Sequence, residues 1–183
     1  MDSKLFSVID DQASVRFTGK VNVLSNFNRQ FIGHIVFRNG EIVDALFQGA
    51  KGEKGLYQIF IQEFSLQSYE YVVEPEVVDP ELNEITLPLF ELKEKLASSL
   101  KLYQQTLKMR PPDNVKIVID PEFIEDSLPV TSAEFEVLCA LTEWNSSYDI
   151  YQHCNLLDHE ITTALVGLRK KNALKILAVK NNP

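Results

Sequence analysis

The stretch Phe37–Phe60, FRNGEIVDALFQGAKGEKGLYQIF, decides the fold. Gly40, Gly49, Gly52 and Gly55 punctuate it, and Lys51 and Lys54 sit among the last three glycines. A glycine-rich loop ahead of a helix either cradles phosphate or bends the chain between a strand and a helix. The first answer points to a nucleotide enzyme, the second to a binding module.

The residues favour the bend. A Walker A loop needs Gly-x4-Gly-Lys followed by Ser or Thr, so that backbone amides surround phosphate and the hydroxyl holds magnesium. No Gly-Lys pair here is followed by a hydroxyl residue. A dinucleotide fingerprint, Gly-x-Gly-x-x-Gly, needs a parallel βαβ setting. These glycines are spaced differently, and Glu53 stands where phosphate would approach. Upstream, Asn39-Gly40 lies between two apolar runs, the strongest short-range hairpin signal, because both residues tolerate the positive φ of a type I′ turn. Gly49 and Gly52 therefore let the strand turn, and Gly55 lets the helix pack closely on a sheet.

Outward from this stretch, VRFTGKVNVL, QFIGHIVFRNG and EIVDALFQG read as strands, and GEKGLYQIFIQE as a helix with Leu56, Ile59, Phe60 and Glu63 one turn apart. LQSYEYVVEPE reads as a further strand closed by Pro75. From about Pro80 to Pro112 the chain reads as one long helix, LPLFELKEKLASSLKLYQQTLKMR. Leu89, Leu92, Leu96, Leu100, Tyr103 and Leu107 form a single stripe at helical period. Leu102 and Met109 fall opposite it, beside Gln105, and make a candidate docking face. NVKIVIDPEFIEDSLPV reads as a short strand and an acidic connector, the best domain boundary in the chain.

Thr131-Ser132-Ala133-Glu134 is a capping box that opens a helix to about Trp144. A short helix follows from Ser147 to about Cys154. Asp158 is expected to cap a third helix, with Ile161, Ala164, Leu165 and Leu168 on one face and Asn172 as its stop. ALKILAVK reads as a strand. Three helices and a strand suggest a helix-turn-helix unit with part of a wing. The fold expected is α+β: a small antiparallel sheet-and-helix domain over 1–79, a long-helix-and-strand connector over 80–130 and a winged-helix-like domain over 131–183.

Composition narrows the function. The formal net charge is −8, which repels phosphate backbones unless basic residues cluster. In a DNA-binding reading, Asp158 to Lys171 is the recognition helix, and Asp158, His159 and Glu160 open it with the wrong sign. Arg169, Lys170 and Lys171 are the candidate nucleic-acid contacts, but they lie at its C-terminal end, where they already suit the helix dipole. Cys139, His153, Cys154 and His159 match no common zinc spacing. No serine elbow is present, and the carboxylates crowd into linkers. Two cysteines suggest no disulfide framework, and the N-terminus has no signal-peptide pattern. No apolar run approaches the roughly 20 residues of a membrane span. The expectation is a cytoplasmic protein without cofactor or metal.

GHIVFRNGEIVDALFQGAKGEKGLYQIF resembles the core of the bacterial PATAN-type domain. Phe37, Gly40, Ile42, Val43 and Ala45 fit its hairpin. Gly49, Gly52 and Gly55-Leu56-Tyr57 fit its helix start, and Tyr69 and Tyr71 its aromatic strand. The match covers roughly residues 14 to 78, and the later chain looks like the second half of many such proteins. One departure is that VNVLSNFNRQ leaves no room for the leucine-rich helix that typical members place between the first two strands. The resemblance implies no catalysis. It implies a non-enzymatic adaptor in bacterial signalling or surface-motility regulation, bound to another signalling or motility protein or to itself. A DNA-binding regulator is the alternative.

Overall fold

Asn39 and Gly40 take φ of 52° and 86°, so the Asn-Gly pair forms its tight turn between β2 (Phe31–Arg38) and β3 (Glu41–Phe47). The computed structural model describes residues 3–65, 69–126 and 128–177 of the chain. It is α+β and divides into two compact units, Met1–Leu100 and Lys101–Pro183.

In the first unit, β1 (Gly19–Ser25), β2, β3, β4 (Ala50–Lys51) and β5 (Tyr69–Pro75) form one antiparallel sheet of order β4-β3-β2-β1-β5. Leu66–Ser68, the expected opening of β5, lie outside the described residues. Strand alternation places Val21, Val23, Ile35, Phe37, Ala45 and Phe47 on one face, and all are buried. α2 (Gly52–Ser65) contributes Leu56, Ile59 and Phe60 to the same core.

A helix not expected from the sequence, α1 (Lys4–Ser14), precedes the sheet and buries Leu5 and Ile9. Its N-terminus is capped twice. Ser3 Oγ accepts the Phe6 N–H at 3.2 Å, and Glu63 of α2 accepts the Leu5 N–H at 3.0 Å. Phe6 stacks on Phe60 with ring centroids 4.8 Å apart, so α1 and α2 share the core. β1 and β2 are joined by a short turn, with no intervening helix.

The other sheet face is partly closed by residues 76–88. The expected long helix does not reach back to Pro80. The helix, α3, spans only Leu89–Thr106 and is preceded by irregular chain with a turn at residues 80–81. Arg38 holds that chain by donating to the carbonyls of Pro80 and Leu82 at 2.7 and 3.0 Å, and the Ile85 N–H donates to Val43 O at 2.9 Å. Val78 and Leu82 thereby cover Val36 and Val43. Leu92, Leu96 and Leu100 of α3 are buried as the stripe requires. Leu107 is not: it is 49 % exposed, because the helix tightens into a 3₁₀ turn at Leu107–Met109. A turn of about three residues steps it off the stripe.

The division between the units falls within α3, after Leu100. In the second unit, β6 (Lys116–Ile119) pairs antiparallel with β7 (Leu174–Leu177). Ala178–Lys180, the expected end of that strand, lie outside the described residues. The segment read as an acidic connector contains a helix, α4 (Pro121–Asp126). Pro121 starts it with φ already set, and Asp120 Oδ1 accepts the Glu122 N–H at 3.2 Å. α5 (Ser132–Glu143), α6 (Ser147–His153) and α7 (Asp158–Lys170) follow. Val137, Leu141, Ile150, Ile161, Leu165 and Leu168 form the core of these helices.

The expected capping box is present at α5: Thr131 Oγ1 accepts the Glu134 N–H at 3.2 Å and Glu134 accepts the Thr131 N–H at 2.7 Å. α7 ends as expected at Asn172, which takes φ of 57°. The Ala173 N–H donates to Leu168 O at 2.9 Å and the Asn172 N–H to Arg169 O at 3.1 Å, a complete Schellman pair.

Candidate functional site

The glycine stretch resolves into a second tight turn and a capped helix. Gln48 and Gly49 take φ of 49° and 94°, and Ala50–Lys51 fold back against Leu46 and Phe47. Asp44 then caps α2, accepting the Gly52 N–H at 3.2 Å and its neighbour Ala45 N–H at 2.7 Å. A negative carboxylate thus occupies the helix N-terminus where phosphate would otherwise be favoured. Glu53 pairs with Lys95. A Cβ on Gly55 would lie 2.7 Å from Ala50 O and 2.9 Å from Ala45 O, so the helix rides directly on the backbone of the sheet. Lys54 is only 8 % exposed and is part of the packing, whereas Lys51 is exposed.

The candidate docking residues separate into two environments. Leu102 is 44 % exposed and Gln105 is exposed, both on the last two turns of α3. Met109 is 50 % exposed but sits in the 3₁₀ turn, where it walls a small apolar cleft with Pro111, Leu165, Leu174 and Ile176. Arg169 is on the rim of the same cleft.

The start of α7 departs from expectation in a way that bears on DNA binding. Leu157, not Asp158, is the N-cap residue, and its N–H is held by the Glu160 carboxylate at 2.9 Å. Asp158 is the first helical residue. Its carboxylate accepts from Arg110 at 2.8 Å, and the Arg110 guanidinium lies 4.0 Å from the centre of the Tyr151 ring. Tyr151 O–H shares a 2.6 Å hydrogen bond with Thr162, and burial pushes its phenol up to about 12. His159 is buried, and burial lowers its pKa against the opposing pull of Glu160 and Asp158. These acidic residues anchor the helix instead of projecting outward.

The basic end of α7 is divided too. Lys171 donates to the buried Glu134 carboxylate at 2.6 Å and to Pro129 O at 2.9 Å. Gly167 makes room for this contact, since a Cβ there would lie 2.4 Å from Glu134 Oε1. Burial opposes the Glu134 charge more than any other single influence. Hydrogen bonds from Lys171 and Thr131 together outweigh it and hold the carboxyl below the ordinary glutamate range. Arg169 and Lys170 stay exposed.

His153 stacks on Trp144 at 4.5 Å, Cys139 is exposed and Cys154 is buried. Among the described residues no group of three His, Cys, Asp or Glu side chains is arranged to hold a metal ion. Likewise, no described helix is long and apolar enough to cross a membrane.

A second apolar cleft, missed in the sequence, lies between α4 and α5, with Phe123, Leu128, Val130, Phe135, Leu138 and Cys139 on its walls. Its signal was the i, i+3, i+4 spacing of Phe135, Leu138 and Cys139, on the side of α5 away from Val137 and Leu141.

No family model, no curated protein and no solved structure matches the chain.

Proposed function

We propose that the chain is a non-enzymatic adaptor that works by protein contact in a bacterial signalling or surface-motility pathway, in the cytoplasm. The pathway and compartment rest on the PATAN-type resemblance of residues 14 to 78 and on the winged-helix-like order of the later helices. The observation that carries the protein-contact reading is the exposure of Leu102, Leu107 and Met109 within a few residues of one another. Large apolar side chains left exposed along one short segment offer a contact surface, whereas isolated ones are ordinary. The partner is another signalling or motility protein or a second copy of the chain.

A DNA-binding regulator is the second reading. It is favoured by the exposed Arg169 and Lys170, and by the engagement of Asp158 and Glu160 in internal contacts, which removes part of the charge objection. Capture from native cytoplasm at rising salt separates the two. A protein held by apolar contact stays bound as salt increases, whereas bound nucleic acid is shed steeply because counterions compete for its phosphates. Retention of nucleic acid at low salt with no retained protein overturns the adaptor reading.

A further inference from the structure

We propose that the cleft between α4 and α5 is a receptor groove for an amphipathic helix whose polar flank is basic. This rests on reading the chain as a protein-binding module, but it concerns a surface separate from Leu102 and Met109.

The cleft has a volume of about 310 Å³ and an almost wholly apolar lining. Its one hydroxyl, on Thr142, is already engaged with the Cys139 carbonyl at 2.7 Å. Small-molecule sites need a few convergent polar groups to fix orientation, and this lining offers none free. It suits apolar side chains delivered from a helix at i, i+3, i+4 and i+7. Phe135, 59 % exposed, and Leu128, 44 % exposed, stand on its margins as contact groups.

Charge selects the occupant. Glu136 and Glu143 lie on the solvent side of the same α5 surface, and Glu122 lies next to Phe123 on α4; all three are exposed. Among the described residues, two nearby lysines are already paired within the chain: Lys171 with Glu134, and the exposed Lys175 with Asp120 at 2.8 Å. The rim therefore presents an excess of acid, Glu136 and Glu143 foremost, around an apolar floor, complementary to lysine or arginine beside leucine. A second copy docked cleft to cleft would place these glutamates against their own counterparts, in a chain of formal net charge −8. Like-charge apposition disfavours that occupant.

The test uses the full chain and a helical peptide of leucine and lysine, about 18 residues or five turns long. A leucine and glutamate peptide with the same apolar face is the control. Binding is read by fluorescence anisotropy, and occupancy by the rate at which a thiol reagent modifies Cys139, the exposed cysteine; Cys154 is buried. The lysine peptide should bind at least about tenfold more tightly than the glutamate peptide and should slow Cys139 modification. Phe135→Ser, which leaves charge unchanged, should weaken binding about tenfold, as removal of one anchor side chain does. Glu136→Gln with Glu143→Gln should narrow the preference between the peptides.

Equal binding of both peptides, unprotected Cys139 in the wild type, or binding indifferent to Phe135→Ser overturns the proposal. So does concentration-dependent dimerisation abolished by Phe135→Ser, which would make a second copy the occupant. Protection of Cys139 requires no variant, so a poorly folded Phe135→Ser still leaves a decisive reading. Leu102→Glu with Met109→Glu should leave peptide binding unchanged, so failure here is distinguishable from failure of the adaptor reading.

Discussion

The two units handle apolar surface differently. In the first, a helical layer covers one sheet face, the strap at residues 76–88 covers part of the other, and Val36 and Val43 are buried beneath it. This unit still leaves Phe27, Phe31, Val77 and Phe90 exposed, spread over the β1–β2 turn, the start of β2, the strap and the start of α3. In the second, Met109 and Ile176 line one cleft, and Leu128 and Phe135 another. A small helical unit with a two-stranded sheet lacks the layers to cover every apolar side chain. What it leaves open is what a partner can use.

If the first unit is held by close packing, its most crowded point should be its most sensitive. Gly55→Val drives a branched side chain into the carbonyls of Ala45 and Ala50. We expect a loss of about 3 kcal/mol or more in urea unfolding followed by circular dichroism. A near-neutral effect would mean that α2 can lift from the sheet. The single tryptophan, Trp144, lies in the second unit, so its fluorescence reports that unit separately.

In the second unit the largest effect should come from charge. Arg110→Ala leaves Asp158 without its cation and removes the guanidinium from Tyr151. Both partners keep some contact with water, so the expected cost is about 2 kcal/mol, below that of a fully buried pair. Thr131→Ala removes one half of the capping box and should cost about 1 kcal/mol. Both are read from the Trp144 transition.

Glu134 adds a pH signature to the same unit. Its carboxyl is held below the ordinary range when folded, so the folded state binds its proton less readily than the unfolded state. The resulting stability is complete above the ordinary glutamate pKa and is lost as pH falls through the lowered folded value. In Glu134→Gln the acid-side decline of the Trp144 transition should be shallower. An unchanged decline would place acid sensitivity elsewhere.

Much of the first unit was legible because its signals are local. Asn39-Gly40 marks a turn by backbone conformation alone, and β2, β3 and α2 follow their own periodicity. Thr131 with Glu134, and Asn172, announced the helix ends of the second unit for the same reason. What escaped depends on partners distant in sequence. α1 is capped in part by Glu63, and the strap is held by Arg38. Asp158 looked like a cap, yet it pairs with Arg110, a partner no spacing announces. Lys54, one of the two lysines in the glycine stretch, is buried by packing that its local sequence does not announce. Of the candidate site residues, Leu102 and Gln105 are as open as helical geometry implied. Met109 was displaced into a cleft by the 3₁₀ turn.

The smallest expected effect on folding is also the most direct test of the protein-contact reading. Leu102→Glu with Met109→Glu changes two half-exposed positions, and exposed sites change stability by only about 0.5 kcal/mol each. The measurement is a thermal melt of wild type and double variant, paired with quantified capture of protein from native cytoplasm and a sizing run. The account predicts an unchanged melt together with loss of a partner, or of a dimer, that the wild type retains. An unchanged melt with identical partners and size, or a large fall in melting temperature, would contradict it.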